Sequence, residues 1–230
     1  MKVIGLIGGL SWESSSEYYR LINQETRKRL GGLNSAKILI YSVNHHEINE
    51  LEDKNRWEEL FEIMVDSARR LEKGGADFVL ICCNAMHKIA EQIQNTIKIP
   101  LIHIADAAAE AVKNARLSTI GLLGARAVME EGFIKDNLVT TGLKVLIPAE
   151  NDREFINHVI FNELAYGNIV EESREKTLEI IHGLRTAGAQ GVILGCTELP
   201  LLIREEDSVL PLFDTLRLHA QRAVDLALAI

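Results

Sequence analysis

Two stretches of this chain repeat one another without a gap, and each carries a cysteine at the same place. Gly75-Ala76-Asp77-Phe78-Val79-Leu80-Ile81-Cys82-Cys83-Asn84 lies over Gly188-Ala189-Gln190-Gly191-Val192-Ile193-Leu194-Gly195-Cys196-Thr197, and Ile4-Gly5-Leu6-Ile7-Gly8-Gly9 lies over Ile120-Gly121-Leu122-Leu123-Gly124-Ala125. The register pairs Cys83 with Cys196. A duplicated half-unit predicts two similar lobes. Folded against each other, they would set two thiols on opposite walls of one cleft, the geometry that removes a proton from one face of a carbon and returns one to the other.

Short β-branched runs alternate with longer stretches of helical periodicity, which predicts βα units around parallel sheets. The pattern places strands at residues 2–7, 37–43, 77–82, 100–104, 118–123, 143–147, 190–195 and 209–212. Trp57, Leu60, Phe61, Met64, Val65, Ala68 and Leu71 recur at helical spacing and stop at Gly74-Gly75; Val170 through Ala187 reads the same way and stops at Gly188. Helix-compatible segments follow each cysteine, over residues 84–95 and 197–203, and Pro211 to Thr215 opens a last amphipathic helix. No Ser/Gly/Pro-rich linker interrupts the chain, so the duplication itself sets the lobe boundary. It places the boundary near residues 103–114 and leaves open which lobe the last helix packs against.

Composition removes several classes of function. With 230 residues, 47% of them hydrophobic, the chain is long enough to bury a full core. Its net charge of -8 and the shortness of its best basic cluster, Arg27-Lys28-Arg29, argue against a nucleic-acid partner. Val3 to Leu10 is too short and glycine-rich for a signal segment, and no stretch approaches the roughly 18 apolar residues of a membrane span. Three cysteines, two of them adjacent, do not make a disulfide framework, so free thiols in a reducing cytoplasm are expected.

Each paired cysteine stands at a strand-to-helix turn, where parallel sheets bind ligands and where unpaired backbone N–H groups collect. Such donors would hold a substrate carboxylate and lower a nearby thiol's pKa. Cys82 is the exception: strand alternation turns it away from the side Cys83 faces, which marks it as a small buried hydrophobe.

The Cys83-Asn84 turn with His87 after it, the turn Gly195-Cys196-Thr197-Glu198, and the opening Ile7-Gly8-Gly9-Leu10-Ser11-Trp12-Glu13-Ser14 together resemble the aspartate/glutamate racemase superfamily, in its aspartate-racemase-like branch. The resemblance runs from Lys2 to Ala227. It implies two α/β lobes related by a pseudo-twofold axis, each a parallel-sheet βα sandwich, with the active site in the cleft between them. It further implies a last helix that completes the first lobe, so that residues 1–103 plus 209–230 form the first α/β lobe and residues 104–208 the second, with no pyridoxal phosphate or metal, and a homodimer. The implied activity is cofactor-independent racemisation of an amino acid, with Cys83 and Cys196 as the two bases. The substrate carboxylate would rest on Asn84-Ala85 and Thr197-Glu198, with Ser11 and Trp12 closing from the first loop. A maleate-type cis-trans isomerase, a hydantoin racemase and a two-lobed binding protein without catalytic thiols are the alternatives.

The departures from the family pattern bear on substrate. Ala85 replaces the threonine of a Cys-Asn-Thr turn, and Gly124-Ala125-Arg126-Ala127-Val128 lacks the two threonines usual there. Neither Asn44-His45-His46-Glu47-Ile48 nor Leu164-Ala165-Tyr166-Gly167-Asn168 supplies the arginine or lysine that holds a side-chain carboxylate in aspartate racemases. A buried second carboxylate without a cation is costly, so a less acidic amino acid is expected. Arg126 reads as a solvated surface cation with carboxylate binding as its alternative. Glu198 reads either as a helix cap or as a charge that poises the thiol pair. Gly5, Gly8 and Gly9 do not fit a dinucleotide loop, and Cys83 and His87 lack the further ligands a zinc site needs.

Overall fold

The computed structural model describes residues 1–229. In chain order its strands are β1 (Val3–Gly8), β2 (Lys37–Ser42), β3 (Phe78–Ile81), β4 (Thr119–Gly124), β5 (Lys144–Leu146), β6 (Val192–Gly195) and β7 (Leu212–Asp214). Its α-helices are α1 (Trp12–Leu30), α2 (His45–Asp53), α3 (Trp57–Lys73), α4 (Ala90–Gln94), α5 (Ile104–Asn114), α6 (Arg126–Glu130), α7 (Gly132–Thr140), α8 (Glu150–His158), α9 (Glu171–Thr186), α10 (Leu199–Leu202) and α11 (Thr215–Leu228). The chain forms two compact units, Met1–Ile104 with His219–Ile230, and Ala105–Leu218. None of the described helices is long and apolar enough to cross a membrane.

The first unit holds a parallel sheet in the order β2-β1-β3, the second a parallel sheet in the order β5-β4-β6-β7. The repeat is therefore visible as topology: the first strand of each unit is central, the second lies on one side of it, and the cysteine-bearing strand on the other. Central β1 and β4 are almost wholly buried apolar runs, as strands covered on both faces must be, while β2 on the edge has no fully buried residue. Ahead of β3, α3 buries Leu60, Met64, Val65, Ala68 and Leu71, and ahead of β6, α9 buries Thr177, Ile180, Ile181 and Leu184. Both helices unwind into a glycine of positive φ, Gly75 at 93° and Gly188 at 104°, so the repeat extends to the left-handed residue that turns the chain into the strand.

The structure departs from the sequence reading in three places. Residues 100–104 form no strand: only the bridge Val79↔Leu101 is made, at the place where β7 pairs Val192 with Leu212 in the second unit. Pro100 has no N–H to give, and the segment enters α5 at Ile104, so the fourth strand is cut short. Because β7 does pair with β6, residues 209–218 belong to the second unit and not, as expected, to the first; only α11 from His219 onward joins the first. The segments after the cysteines are also less helical than expected: Ala85–Ile89 is a 3₁₀ turn ahead of the five-residue α4, and α10 has four residues.

Each unit has its own core. In the first, Ile7, Val79 and Ile81 of the sheet pack with Leu60, Met64 and Leu71 of α3. In the second, Leu123, Val192 and Leu194 pack with Ile180, Ile181 and Leu184 of α9. Behind the first sheet, fully buried Tyr18 of α1 and His219 of α11 meet, with Tyr18 Oη 2.8 Å from His219 Nδ1. His219 Nε2 lies 2.9 Å from the Ile102 carbonyl, which can only accept. The proton is therefore on Nε2, Nδ1 is the lone-pair nitrogen, and the tyrosine hydroxyl donates to it.

Two expectations follow. Gly9 has φ of 82°, and a Cβ there would come 2.1 Å from the Val43 carbonyl oxygen. Gly9→Ala should therefore cost about 3 kcal/mol in urea unfolding, since both the φ and the clash oppose it. Burial lowers the His219 pKa to about 3, and burial, with His103 and His219 beside it, lowers that of His87 well below its ordinary value. Unfolded, each takes up a proton near pH 6.5, so this contribution is intact above that pH. It is lost as pH falls, by about 1.4 kcal/mol per pH unit for each histidine, until the folded-state pKa is reached. Unfolding free energies between pH 5.5 and 4.5 should show that slope, and His219→Gln should flatten it by about one proton; equal slopes would show that His219 is not held neutral.

Candidate active site

In the first unit β1 and β3 run side by side, with Ile7 opposite Ile81, so the loops that follow them leave the same edge of the sheet. The pairing continues one residue beyond β3, where the Cys82 N–H donates to the Ile7 carbonyl at 2.9 Å. Cys82 is fully buried, and burial and the neighbouring Cys83 push its thiol pKa up, so it stays a protonated core residue. Cys83, on the alternate side, is half-buried and begins the turn. Asn84 is buried and Ala85 opens the 3₁₀ segment, whose His87 N–H donates to the Asn84 carbonyl at 3.1 Å.

Both ring nitrogens of His87 are used. Nδ1 lies 2.8 Å from the Cys83 carbonyl oxygen, and Nε2 accepts the Ile104 N–H at 3.1 Å. The imidazole is thus neutral with its proton on Nδ1. The same pairings show why Cys83 and His87, four residues apart, are not a ligand pair: the ring is spent on backbone.

Ser11 and Trp12 leave β1 on this edge and start α1. Ser11 is the helix N-cap, its Oγ accepting from the Ser14 N–H at 3.1 Å and paired with Ser14 Oγ at 2.8 Å. Trp12 is 68% exposed and lines a shallow groove of about 410 Å³ with Ser15, Ser16, Tyr19, Ile40 and Ser42.

In the second unit β4 and β6 are parallel, with Gly124 opposite Gly195, so Cys196 also leaves the carboxyl edge of its sheet. Here three predicted residues come together. Cys196 Sγ donates to Glu198 Oε2 at 2.9 Å, and Thr197 Oγ1 donates to the same oxygen at 2.6 Å. The Glu198 side chain makes no cap for α10, which decides between the two readings of that residue. The thiol's electrostatics reverse the sequence expectation. Backbone N–H groups of Glu198 and Leu199 do point at Sγ and favour the thiolate, but burial, first, and then the Glu198 charge and hydrogen bond outweigh them, pushing the Cys196 pKa well up. A four-residue helix has too few aligned peptides to offset those two effects. Cys196 is therefore a thiol whose proton points at a carboxylate.

Neither segment weighed for a side-chain cation, residues 44–48 or 164–168, contains an arginine or lysine. His45 and His46 are exposed at the start of α2, where His46 pairs with Glu50. Leu164 packs with Leu199 and Leu202 of α10, which places the 164–168 segment beside the Cys196 turn without supplying a lysine. Arg126 is exposed and surrounded by Glu130, Glu150 and Glu154 at 3.0, 3.9 and 3.6 Å, so its charge is already answered. Residues that sequence reasoning missed are Tyr18, His103 and His219. Tyr18 and His219 are 201 positions apart, and no local pattern connects them.

A family model for Asp/Glu/Hydantoin racemase matches residues 7–223. The chain belongs to that family. A candidate Asp/Glu racemase from Yersinia pestis is 45% identical, with a TM-score of 0.96 over 100% of both chains. An aspartate racemase homologue from Pyrococcus horikoshii OT3 is 32% identical, with a TM-score of 0.88 over 99% of each chain. Among curated sequences, the broad specificity amino-acid racemase RacX of Bacillus subtilis is 22% identical over 240 residues, 99% of each chain. In this chain Cys196 has the Glu198 carboxylate hydrogen-bonded to its thiol.

Replacing that carboxylate tests the electrostatics directly. Glu198→Gln removes the negative charge while keeping an acceptor, so the Cys196 pKa should fall toward the ordinary thiol range. Alkylation of Cys196 by iodoacetamide at pH 8.5, read by peptide mass spectrometry, should accelerate several-fold. An unchanged rate would mean that burial alone sets the thiol.

Proposed function

We propose that this protein is a cofactor-independent amino-acid racemase that interconverts L and D amino acids by two-base proton transfer between Cys83 and Cys196. The observation that carries the reading is the Cys196–Glu198 hydrogen bond, set on one of two cysteines that occupy matching strand ends in a racemase-family fold. We take it to act in the cytoplasm, as a homodimer, with the free amino acid as its partner.

In one direction Cys83, as thiolate, takes the α-proton. The electron pair of the C–H bond passes into the substrate carboxylate, and Cys196 gives its thiol proton to the opposite face, leaving Cys83 a thiol and Cys196 a thiolate. In the other direction Cys196 must first lose its proton, and Glu198 Oε2 stands at 2.9 Å to receive it. A thiol held at high pKa becomes a strong base once ionised, which suits a carbon acid far weaker than any thiol. Backbone and side-chain donors of the Asn84-Ala85 and Thr197 turns, with Ser11 and Trp12 from the first loop, would hold the carboxylate as charge develops on it.

A less acidic amino acid fits better than aspartate. The cations expected for a second carboxylate have no counterpart at residues 44–48 or 164–168, and the broad specificity named for the Bacillus relative is consistent with a site that does not demand one.

The test is α-hydrogen exchange in deuterated buffer, followed by NMR without added cofactor, on both hands of aspartate, glutamate, homoserine, asparagine, serine and alanine. Exchange with loss of optical purity is expected on one or more of these. Cys83→Ser and Cys196→Ser should each lower racemisation at least about 10³-fold, because a serine hydroxyl is far too weak an acid to replace a thiol. Exchange on none of the panel would defeat the reading and favour the maleate-type isomerase, whose covalent adduct with substrate mass spectrometry would show.

A further inference from the structure

The proposed mechanism uses the Cys83 thiol but says nothing about what holds it in place. Cys83 lies in a turn followed by a 3₁₀ segment, a weaker support than an α-helix, and a proton transfer between carbon and sulfur tolerates little misplacement. Its carbonyl is gripped from behind by His87, which is 2% exposed and bonded to backbone at both ring nitrogens. His87 stands in a row of rings: His103 packs edge-on at 4.6 Å between centroids, His219 at 5.7 Å, and His219 meets Tyr18 at 5.6 Å.

The backbone groups that this row holds share a neighbourhood in the fold. His87 bonds the N–H of Ile104, the last residue before the chain leaves the first unit, and His219, the first residue on its return, bonds the carbonyl of Ile102. One buried network thus fixes the Cys83 turn against segment 102–104. It works only with a neutral His87 of defined tautomer, because a proton on His87 Nε2 would confront the Ile104 N–H.

We propose that His87 is the positioning residue for the Cys83 thiol, acting as a neutral imidazole whose Nδ1–H fixes the Cys83 carbonyl and whose Nε2 anchors the ring to the Ile104 N–H. His87 touches no reacting atom; it acts through the Cys83 backbone. The proposal rests on the two-thiol reading for its catalytic consequence but not for its geometry, and the experiment separates the two.

Two amide substitutions split the ring's functions. His87→Asn places an N–H near the Nδ1 position and gives up the acceptor for Ile104; His87→Gln reaches the Nε2 position and gives up the donor to Cys83. On an amino acid that the wild type racemises, His87→Gln should lower kcat about 10- to 100-fold with KM within about threefold, and His87→Asn should recover most of that loss. In parallel, iodoacetamide alkylation mapped by mass spectrometry should change at Cys83 by at least about fivefold in His87→Gln while Cys196 stays at the wild-type rate. Equal activity and unchanged Cys83 alkylation in both folded variants would overturn the proposal, leaving His87 as packing. Should neither variant fold, ring-nitrogen NMR of the wild type decides: His87 should remain neutral with its proton on Nδ1 from pH 8 to 5.5, and the opposite tautomer, or titration near pH 6.5, would overturn it. A wild type that exchanges no α-hydrogen would remove the racemase reading, while the alkylation and NMR results would still judge His87.

Discussion

Parallel pairing of a central strand with a cysteine-bearing strand is the constraint from which the rest of each unit follows. Parallel neighbours cannot be joined by a hairpin, so α3 and α9 must cross over before β3 and β6, and each crossover helix covers the sheet it has just crossed. Parallel strands also present their carboxyl ends on one edge. That is why Gly9, Ser11 and the Cys83 turn emerge together in one unit, and residues 125–126 and the Cys196 turn in the other. The chemistry-bearing residues sit beyond the strand ends, where the backbone is no longer committed to a ladder and its N–H and carbonyl groups can serve side chains.

The two turns use that freedom differently. At Cys196 the local N–H groups favour a thiolate, yet the thiol is buried and faces a carboxylate, and those two effects win. At Cys83 the supporting group is an imidazole, and what it holds is the carbonyl and not the sulfur. The repeat has therefore kept the positions of the thiols and let their surroundings diverge: one is governed by a charge two residues along the chain, the other by a ring four residues along that is itself pinned to Ile104.

Much of the fold was legible because periodicity and glycine placement are local. Strand alternation placed Cys82 in the core and Cys83 on the other side, and the apolar spacing of Trp57 to Leu71 gave α3 with its stop. Reading residues 100–104 as a strand failed because apolar content does not report how many ladder bonds a segment can make once a proline opens it and a helix claims its end. Placing residues 209–218 in the first lobe failed for a related reason: whether Leu212–Asp214 pairs with β6 or lies elsewhere is a choice between two sheets, and the sequence of the strand is compatible with either.

For the site, the sequence by itself determined which residues stand at the two strand ends: Cys83 with Asn84, Cys196 with Thr197 and Glu198, all within a few positions of a recognisable strand. It also determined that the cations expected at 44–48 and 164–168 are missing. Tertiary structure alone decided that Glu198 turns to the thiol and not to its helix, because that depends on side-chain rotamers in a buried turn. It alone decided, too, that Tyr18, His87, His103 and His219 form one network, because those residues come from four separated segments. A hydrogen bond between groups 201 positions apart leaves no periodic trace in the chain; it exists only once packing has removed the water that would otherwise satisfy both partners.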